Sequence, residues 1–239
     1  MELDAARASE ALRKGELELL GRMAWSSNAT FLVTATLDDV EVPAVYKPQR
    51  GERPLWDFPE GTLCNREVAA YELSEALGWS IVPETVLRDG PYGIGMVQRF
   101  VDHDPDDHYF TLLETHMDDF KRFAAFDVLA NNADRKGGHC LLAKLDGHIW
   151  GIDHGLTFHT ADKLRTVIWD FAGEPVPAGI VATLECVLAE LDGPLGDRFA
   201  DVLAPREVEA IRDRTRGLLR AGTFPVPDEG YHSVPWPLV

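Results

Sequence analysis

Positive charge is scarce in this chain of 239 residues. It has 23 Lys and Arg residues against 40 Asp and Glu residues, which gives a net charge of −17. Nucleic-acid phosphates and anionic lipid headgroups are bound mainly by clustered basic side chains, and an acidic surface repels both. We therefore expect no nucleic acid and no acidic membrane surface among the partners of this protein.

Cysteines and long apolar runs are also rare. Cys64, Cys140 and Cys186 are scattered and odd in number, which argues against a disulfide framework and a Cys-x-x-Cys metal site. No run reaches the roughly 18 apolar residues of a membrane-spanning helix. Residues 1–4 lack the basic and apolar regions of a signal peptide. We expect no membrane insertion and a cytoplasmic location.

The remaining composition is that of an ordinary globular protein, with 45% hydrophobic and 26% charged residues. This apolar content is enough for a sizeable core, which argues against disorder for the bulk of the chain. A chain of this length forms either one large domain or two small lobes that share a cleft.

Apolar spacing in the first hundred residues predicts hairpins and helices. Short β-branched runs joined by Asp-Asp or Asp-Gly steps are typical of antiparallel hairpins. The predicted elements are a helix over 5–20, weakened by Gly15, strands over 31–37 and 42–47, a loop over 48–61, a helix from Asn65 to Gly78, and strands over 82–87 and 94–101. The acidic segment 102–108 is the predicted linker to the rest of the chain.

Beyond this linker the pattern becomes mainly helical. The predicted elements are helices over 112–120 and 120–129, strands over 140–143 and 148–152 around the Asp146-Gly147 turn, and helices over 181–191 and 205–219. Together the two parts predict an α+β protein. One lobe spans residues 1–101 and the other spans residues 102–239.

A spaced group of polar residues lies among the apolar segments of the second part. Asp134 is followed at once by Arg135, His139 lies five residues after Asp134, and Asp153 begins an Asp-x-Gly step after the hairpin. In phosphoryl-transfer enzymes one carboxylate takes or orients a proton while neighbouring groups bind a divalent cation. Each step alone is typical of a solvated turn, so the interpretation depends on their joint order and spacing.

This order of features resembles the protein-kinase-like superfamily, in its phosphatidylinositol 3-/4-kinase and HipA-like branch. A hairpin with a Lys, a helix with a Glu, two strands, a linker, a helix, the polar loop and the Asp-x-Gly step follow one another. The similarity spans about residues 20–170 and is closest to small actinobacterial kinase-related proteins without a settled substrate. It implies a two-lobed fold, with an antiparallel sheet and one helix in the N-lobe and a mainly helical C-lobe.

The resemblance implies that ATP binds between the lobes. Lys47 then contacts the phosphates, and Glu67 orients this lysine, with Glu72 as a weaker candidate for that role. The strand over 95–101 corresponds to the hinge, whose backbone groups bind the adenine edge. Its predicted cofactor contacts are Gln98, Phe100 and Val101.

The resemblance also assigns the catalytic loop. Asp134 corresponds to the aspartate that accepts or orients the proton of the attacking hydroxyl, and Asn132 is predicted to brace the loop. Asp153 corresponds to the metal-binding aspartate, whose oxygens suit Mg²⁺.

Two features depart from the family. His139 stands where the family has a metal-binding Asn, and imidazole suits Mn²⁺ or Zn²⁺ better than Mg²⁺. We therefore expect Asp153 and His139 to bind Mg²⁺ or Mn²⁺, with the choice depending on His139. No Gly-rich loop precedes the first predicted strand, so Ser26, Ser27 and Asn28 are predicted to cover the phosphates.

These roles predict an ATP- and metal-dependent phosphotransferase that transfers the γ-phosphoryl group to a hydroxyl. A phosphoinositide acceptor normally requires a basic surface, so a small molecule or a protein is favoured instead. Lys163 and Arg165 either bind an anionic group of that acceptor or are ordinary surface charges. Two alternatives use the same nucleotide site: a pseudokinase that acts as a regulatory module, and an enzyme that attaches AMP to a protein.

The histidines offer a different interpretation. A zinc hydrolase site could draw on His139, His148, His154 and His159 together with Asp153. However, the chain has no His-Glu-x-x-His spacing, and the Asp146-Gly147 turn is expected to hold His148 near the tip of its own hairpin. The kinase-like interpretation is therefore favoured.

Overall fold

The computed structural model describes residues 5–23, 28–228 and 232–239. A five-stranded antiparallel sheet occupies the first part of the chain, and helices dominate the second part. This arrangement confirms the predicted α+β architecture. Ser26 and Ser27, two of the residues predicted to cover the phosphates, lie outside the described residues.

The sheet explains why the apolar runs of the first part form strands. Its strands are β1 (Glu16–Arg22), β2 (Phe31–Leu37), β3 (Val40–Pro48), β4 (Thr85–Gly90) and β5 (Gly93–Arg99), in the spatial order β1-β2-β3-β5-β4. Along β3, Val42, Ala44 and Tyr46 alternate with more exposed residues and are buried on one face. The turn at residues 38–39 joins β2 to β3 as predicted.

The first predicted helix is shorter than the sequence pattern indicated. Helix α1 spans Ala5–Lys14, and residues 16–22 form β1 instead of continuing the helix to residue 20. At Gly15 a Cβ atom would lie 2.6 Å from the Ala11 carbonyl oxygen, so only glycine fits where the chain leaves the helix. Helix α1 packs on the sheet through Ala8, Ala11 and Leu12, and is a second helix beside the single N-lobe helix that the resemblance implied.

The hairpin of β4 and β5 is present, but its turn lies two residues after the Asp89-Gly90 step, where the sequence predicts it. Residues 91–92 form the turn, and Gly90 still pairs with Gly93 in the ladder. A Cβ atom at position 90 would lie 2.8 Å from the ring of Tyr46. The glycine therefore serves close packing within the strand rather than the turn.

Helix α2 (Leu63–Leu77) connects the sheet to the second part of the chain. It begins two residues before Asn65, which was the predicted cap, and ends at Gly78 with φ 63°. Cys64 and Val68 pack with Met96 of the sheet, whereas Ala69 and Leu73 belong to the large core of the helical part. The helix is consequently in contact with both parts.

The second part is helical around one core that includes Phe120, Phe123 and Phe126. Its elements are α3 (Tyr109–Leu112), α4 (Met117–Ala130), β6 (Cys140–Leu142), β7 (Ile149–Gly151), α5 (Ala178–Glu190), α6 (Pro194–Ala200) and α7 (Pro205–Ala221). Helix α4 replaces most of the two predicted helices over 112–129, the predicted hairpin is formed by β6 and β7, and α6 was not predicted.

The connection between the two parts runs from the end of β5 to the start of α3. The boundary between residues 101 and 102 falls within it and stays a prediction. Within the described portion of the chain, none of the helices combines the length and the apolar character needed to cross a lipid bilayer.

Candidate active site

The loop that carries Asp134 is braced from the end of helix α4. Asn131 leaves the helix in the left-handed conformation, with φ 50°. The side chain of Asn132 donates from Nδ2 to Asp127 Oδ1 at 2.9 Å, and its Oδ1 accepts a hydrogen bond from the backbone N–H of Asp134 at 3.0 Å. Asn132 is buried, so this amide fixes the course of the loop before Asp134.

A buried charge network lies beneath the same loop. The guanidinium of Arg135 donates to the Asp127 carboxylate at 3.0–3.2 Å, and both side chains are fully buried. Thr166 also donates to Asp127, at 3.1 Å. Burial, together with the nearby charge of Arg135, lowers the pKa of His154 well below its usual value. Neutral His154 accepts a hydrogen bond from Arg135 at 2.7 Å.

Lys47, near the end of β3, joins two carboxylates. Its Nζ lies 2.7 Å from Glu67 Oε1 and also contacts Asp153 Oδ1. Burial alone would lower the pKa of Lys47, but the charges of Asp153 and Glu67 outweigh it and raise that pKa. Lys47 in turn lowers the pKa of Asp153. Lys47 and Asp153 are therefore both charged, and Lys47 links the sheet to helix α2 and to the loop after β7.

Glu67 also holds the Asp-x-Gly step in place. Its second oxygen, Oε2, accepts a hydrogen bond from the backbone N–H of His154 at 2.8 Å. Asp153 adopts the left-handed conformation, with φ 63°, which directs its half-exposed carboxylate towards Lys47. Glu72, the weaker candidate for orienting the lysine, pairs instead with Arg198 at 2.6 Å.

His139 lies beside Asp153, as a shared metal site would require. Its Nε2 is 3.5 Å from Asp153 Oδ2, and burial lowers the pKa of His139, so the imidazole is neutral. No group of three or more His, Cys, Asp or Glu side chains suited to a metal occurs within the described ranges. Mg²⁺ in phosphotransferases usually takes only one or two protein ligands and completes its shell with phosphates and water. Asp153 offers the oxygen ligand that Mg²⁺ prefers, and His139 offers a nitrogen ligand that suits Mn²⁺ better.

A cavity of about 370 Å³ opens onto Lys47, Glu67 and Asp153, whereas His139 is not among its lining residues. Asp134 lines it together with Lys47 and Asp153, so the predicted proton acceptor and the predicted phosphate contact share one space. The carboxylate of Asp134 accepts a hydrogen bond from Lys136 at 2.9 Å. The other lining residues are Asn28, Pro48, Glu52, Arg53, Pro54, Leu55, Leu63, Cys64, Glu67, Gly155 and Leu156.

The predicted hinge contacts are not among the lining residues of this cavity. Gln98 is buried in the sheet, where its Nε2 donates to Thr85 Oγ1 at 2.8 Å. The backbone N–H of Phe100 donates to the Pro43 carbonyl at 3.0 Å. Both polar groups are thus used within the sheet, and the contacts of Gln98 and Phe100 with adenine stay predictions. Val101 has a carbonyl 2.9 Å from His103 Nδ1, and its contact with adenine stays a prediction.

The histidines are not brought together. His154 is buried against Arg135, His148 Nε2 lies 2.7 Å from the Ser80 carbonyl, and His159 Nδ1 accepts from the backbone N–H of Ala161. Each ring is therefore used locally. Since no metal cluster is formed among the described residues, the geometry does not support the zinc hydrolase interpretation.

Lys163 and Arg165 also have local partners. Lys163 pairs with Asp57 at 2.7 Å and lies over the ring of Trp56, while Arg165 donates to the His232 carbonyl at 3.0 Å. Trp56 is 93% exposed, whereas the side chains of Lys163 and Asp57 are only 15% and 18% exposed. Neither basic residue is among those lining the cavity.

Sequence reasoning missed the role of Glu52. Its carboxylate accepts hydrogen bonds from the backbone N–H groups of Leu63 and Cys64, at 3.1 and 2.8 Å, and so caps helix α2 from a distant loop. Capping patterns are recognised among residues next to the helix start, whereas Glu52 lies 11 residues before Leu63. Asn28, which was predicted, lines the cavity, and its Oδ1 accepts from the backbone N–H of Arg53.

Similarity to known proteins agrees with this geometry. The family model described as Phosphatidylinositol 3- and 4-kinase matches residues 67–198, more than half of the chain. A curated relative, "Protein Rv2133c" of Mycobacterium tuberculosis, is 42% identical over 261 aligned positions, which cover 95% of this chain and 93% of the relative.

Solved kinase structures share the fold. The Golgi casein kinase with Mn/ADP bound matches with a TM-score of 0.59 and 14% identity, over 96% of this chain and 78% of that one. The Helicobacter pylori proinflammatory kinase CtkA matches with a TM-score of 0.52 and 11% identity, over 89% of this chain and 94% of that one. The predicted resemblance and two-part kinase-like fold are confirmed, and the chain belongs to the phosphatidylinositol 3- and 4-kinase family.

Proposed function

We propose that this protein is an ATP- and metal-dependent phosphotransferase that acts on a hydroxyl of a small molecule or a protein. One observation carries the proposal. A single cavity joins the Lys47, Glu67 and Asp153 ion pairs to the carboxylate of Asp134. A charged clamp for phosphates and a proton acceptor are the two parts that the protein must contribute to phosphoryl transfer.

The nucleotide is bound through opposite charges. The Lys47 ammonium, held by Glu67, neutralises part of the phosphate charge. Asp153 and neutral His139 would hold Mg²⁺ or Mn²⁺, and the bound ion would supply positive charge where negative charge builds up in the transition state. The neighbouring kinase structure described with Mn/ADP supports this cofactor assignment.

Asp134 then acts on the acceptor. The acceptor hydroxyl oxygen forms a bond to the γ-phosphorus as the bond between that phosphorus and the β–γ bridging oxygen breaks, which releases ADP. Asp134 takes or orients the hydroxyl proton. The Nζ of Lys136 donates to this carboxylate at 2.9 Å and holds it in place.

The acceptor class follows from the charge of the chain. A net charge of −17 opposes the electrostatic attraction that draws enzymes to anionic lipid headgroups. The family is named for lipid kinases, but this chain is better suited to an acceptor that approaches from solution. We therefore favour a small molecule or a protein hydroxyl over a phosphoinositide.

The test is to incubate the protein with ATP labelled at either the α- or the γ-phosphate, in Mg²⁺ and in Mn²⁺, with pooled metabolites or candidate proteins. We expect release of ADP and transfer of the γ-label, both lost in Asp134→Asn. Transfer of the α-label would instead establish AMP transfer. Nucleotide binding without transfer of either label would establish a pseudokinase. Both outcomes would overturn the proposed reaction.

A further inference from the structure

The residue before Glu67 makes the strongest connection between helix α2 and the second part of the chain. Arg66 is 1% exposed, and its Nη2 lies 2.5 Å from Glu207 Oε1 of helix α7. Its guanidinium also lies 4.9 Å from the centre of the Phe58 ring. A buried guanidinium requires such partners because an unpaired buried charge is strongly unfavourable.

Glu207 is held equally firmly at its own end. It occupies the first turn of helix α7, where its Oε2 accepts a hydrogen bond from the backbone N–H of Ala204 at 2.9 Å. One carboxylate oxygen thus caps the helix while the other pairs with Arg66. Only 13% of its side chain is exposed, so solvent screens this pair far less than it screens a surface salt bridge.

Arg66 and Glu67 also hold the same loop. Arg66 Nη1 donates to the Thr157 carbonyl at 2.6 Å, and Glu67 accepts from the backbone N–H of His154. The Thr157 hydroxyl donates to the His154 carbonyl at 2.7 Å, which closes this loop on itself. Asp153 immediately precedes this closed loop. The position of helix α2 therefore sets the position of both carboxylates that contact Lys47.

We propose that Arg66 and Glu207 are positioning residues that fix helix α2 to helix α7, so that Glu67 stays in register with Lys47 and the Asp153 loop. On this proposal helix α2 moves with the C-terminal helices rather than with the sheet. The catalytic consequence rests on the proposed phosphotransferase function. The claim that the pair holds helix α2 against helix α7 does not rest on that function, and it can be measured without any substrate.

The rate at which a reagent labels the Cys64 thiol reports whether helix α2 is held in place. Cys64 lies in the first turn of helix α2, is buried, and its thiol contacts the Lys47 carbonyl oxygen at 3.1 Å. In a Cys186→Ser background, which removes the exposed thiol, we expect Glu207→Gln to raise the rate at which a thiol reagent labels Cys64 by roughly tenfold. Buried Cys140 in β6 should stay unlabelled in the native protein.

The matched control breaks the other ion pair of helix α2 with a C-terminal helix. Arg198→Gln removes the more exposed contact with Glu72 and should leave the labelling rate within about twofold of the parent. Arg66→Lys keeps the charge but loses the planar guanidinium with its several donors. Its Cys64 labelling rate should fall between those of the parent and Glu207→Gln. Equal labelling of Cys64 in all variants, or labelling of Cys140 in parallel with it, would overturn the proposal.

Activity supplies a second readout. If helix α2 positions Lys47 for the transition state, Glu207→Gln should lower kcat roughly tenfold and change KM for ATP by less than about threefold. An unchanged kcat in an active protein would contradict the positioning role. If the parent protein transfers no phosphoryl group at all, the proposed function fails, and Cys64 labelling still decides whether the pair holds helix α2.

Discussion

Replacing Asp127 should destabilise the protein more than any ordinary surface change on the same helix. In Asp127→Ala the guanidinium of Arg135 loses its only carboxylate contact within hydrogen-bonding distance among the described residues, yet stays fully buried. Asn132 and Thr166 each lose a hydrogen-bond acceptor at the same time. Removing one member of a buried ion pair costs about 3–5 kcal/mol, because it leaves an uncompensated charge in the interior.

This cost should appear directly in thermal unfolding. For a protein of 150–250 residues, 1 kcal/mol corresponds to about 2–4 °C in Tm, so the expected decrease is roughly 6–20 °C. Asp119→Ala is the matched control, since Asp119 lies on the same helix and its pair with Arg122 is largely exposed. That substitution should cost no more than about 1 kcal/mol.

The comparison can be measured by calorimetry or circular dichroism. Asp127→Asn should fall between the two alanine variants, because an amide oxygen still accepts hydrogen bonds but brings no charge. If Asp127→Ala melted within about 4 °C of Asp119→Ala, the buried network would contribute little to stability. The account of how the catalytic loop is held would then be wrong.

Two further predictions concern metal choice and thiol chemistry. His139→Asn should shift the metal preference of nucleotide binding from Mn²⁺ towards Mg²⁺, and an unchanged preference would argue against His139 as a ligand. In the native protein at pH 8 a thiol reagent should label Cys186 well before Cys64 and Cys140, because Cys64 and Cys140 are buried and burial raises the pKa of Cys140 to about 12. Rapid labelling of three thiols before unfolding would refute the packing described around them.

Turn residues and apolar runs in the sequence were sufficient to predict the positions of most of the hairpins. The turn between β2 and β3 and the pairing of β6 with β7 lie where the sequence pattern indicated. The predicted range of helix α1 was too long because Leu19 and Leu20 satisfy a helical spacing as well as an extended one. What ends the helix is the lack of room for a side chain at Gly15, a contact that exists only in the folded protein.

The site was predictable to the extent that it follows a spaced motif. Asp134, Asp153, Lys47 and Glu67 were predicted from the family resemblance that their order and spacing support, and the structure brings them around one cavity. The residues that hold the site in place could not be predicted in this way, because their partners are distant in sequence. Arg66 and Glu207 meet across 141 positions of the chain, and no local pattern marks either as buried.

The central claim, that the cavity binds ATP with a divalent metal through Lys47, is tested most directly by calorimetric titration of ATP in Mg²⁺ and in Mn²⁺. We expect the parent protein to bind, and Lys47→Met to bind roughly ten- to hundredfold more weakly, because a charged hydrogen bond of about 1.5–3 kcal/mol is lost. Lys144→Met, which removes an exposed lysine paired with Asp102, should bind like the parent. Absence of binding by the parent in both metals, or equal affinity of Lys47→Met and the parent, would contradict the claim.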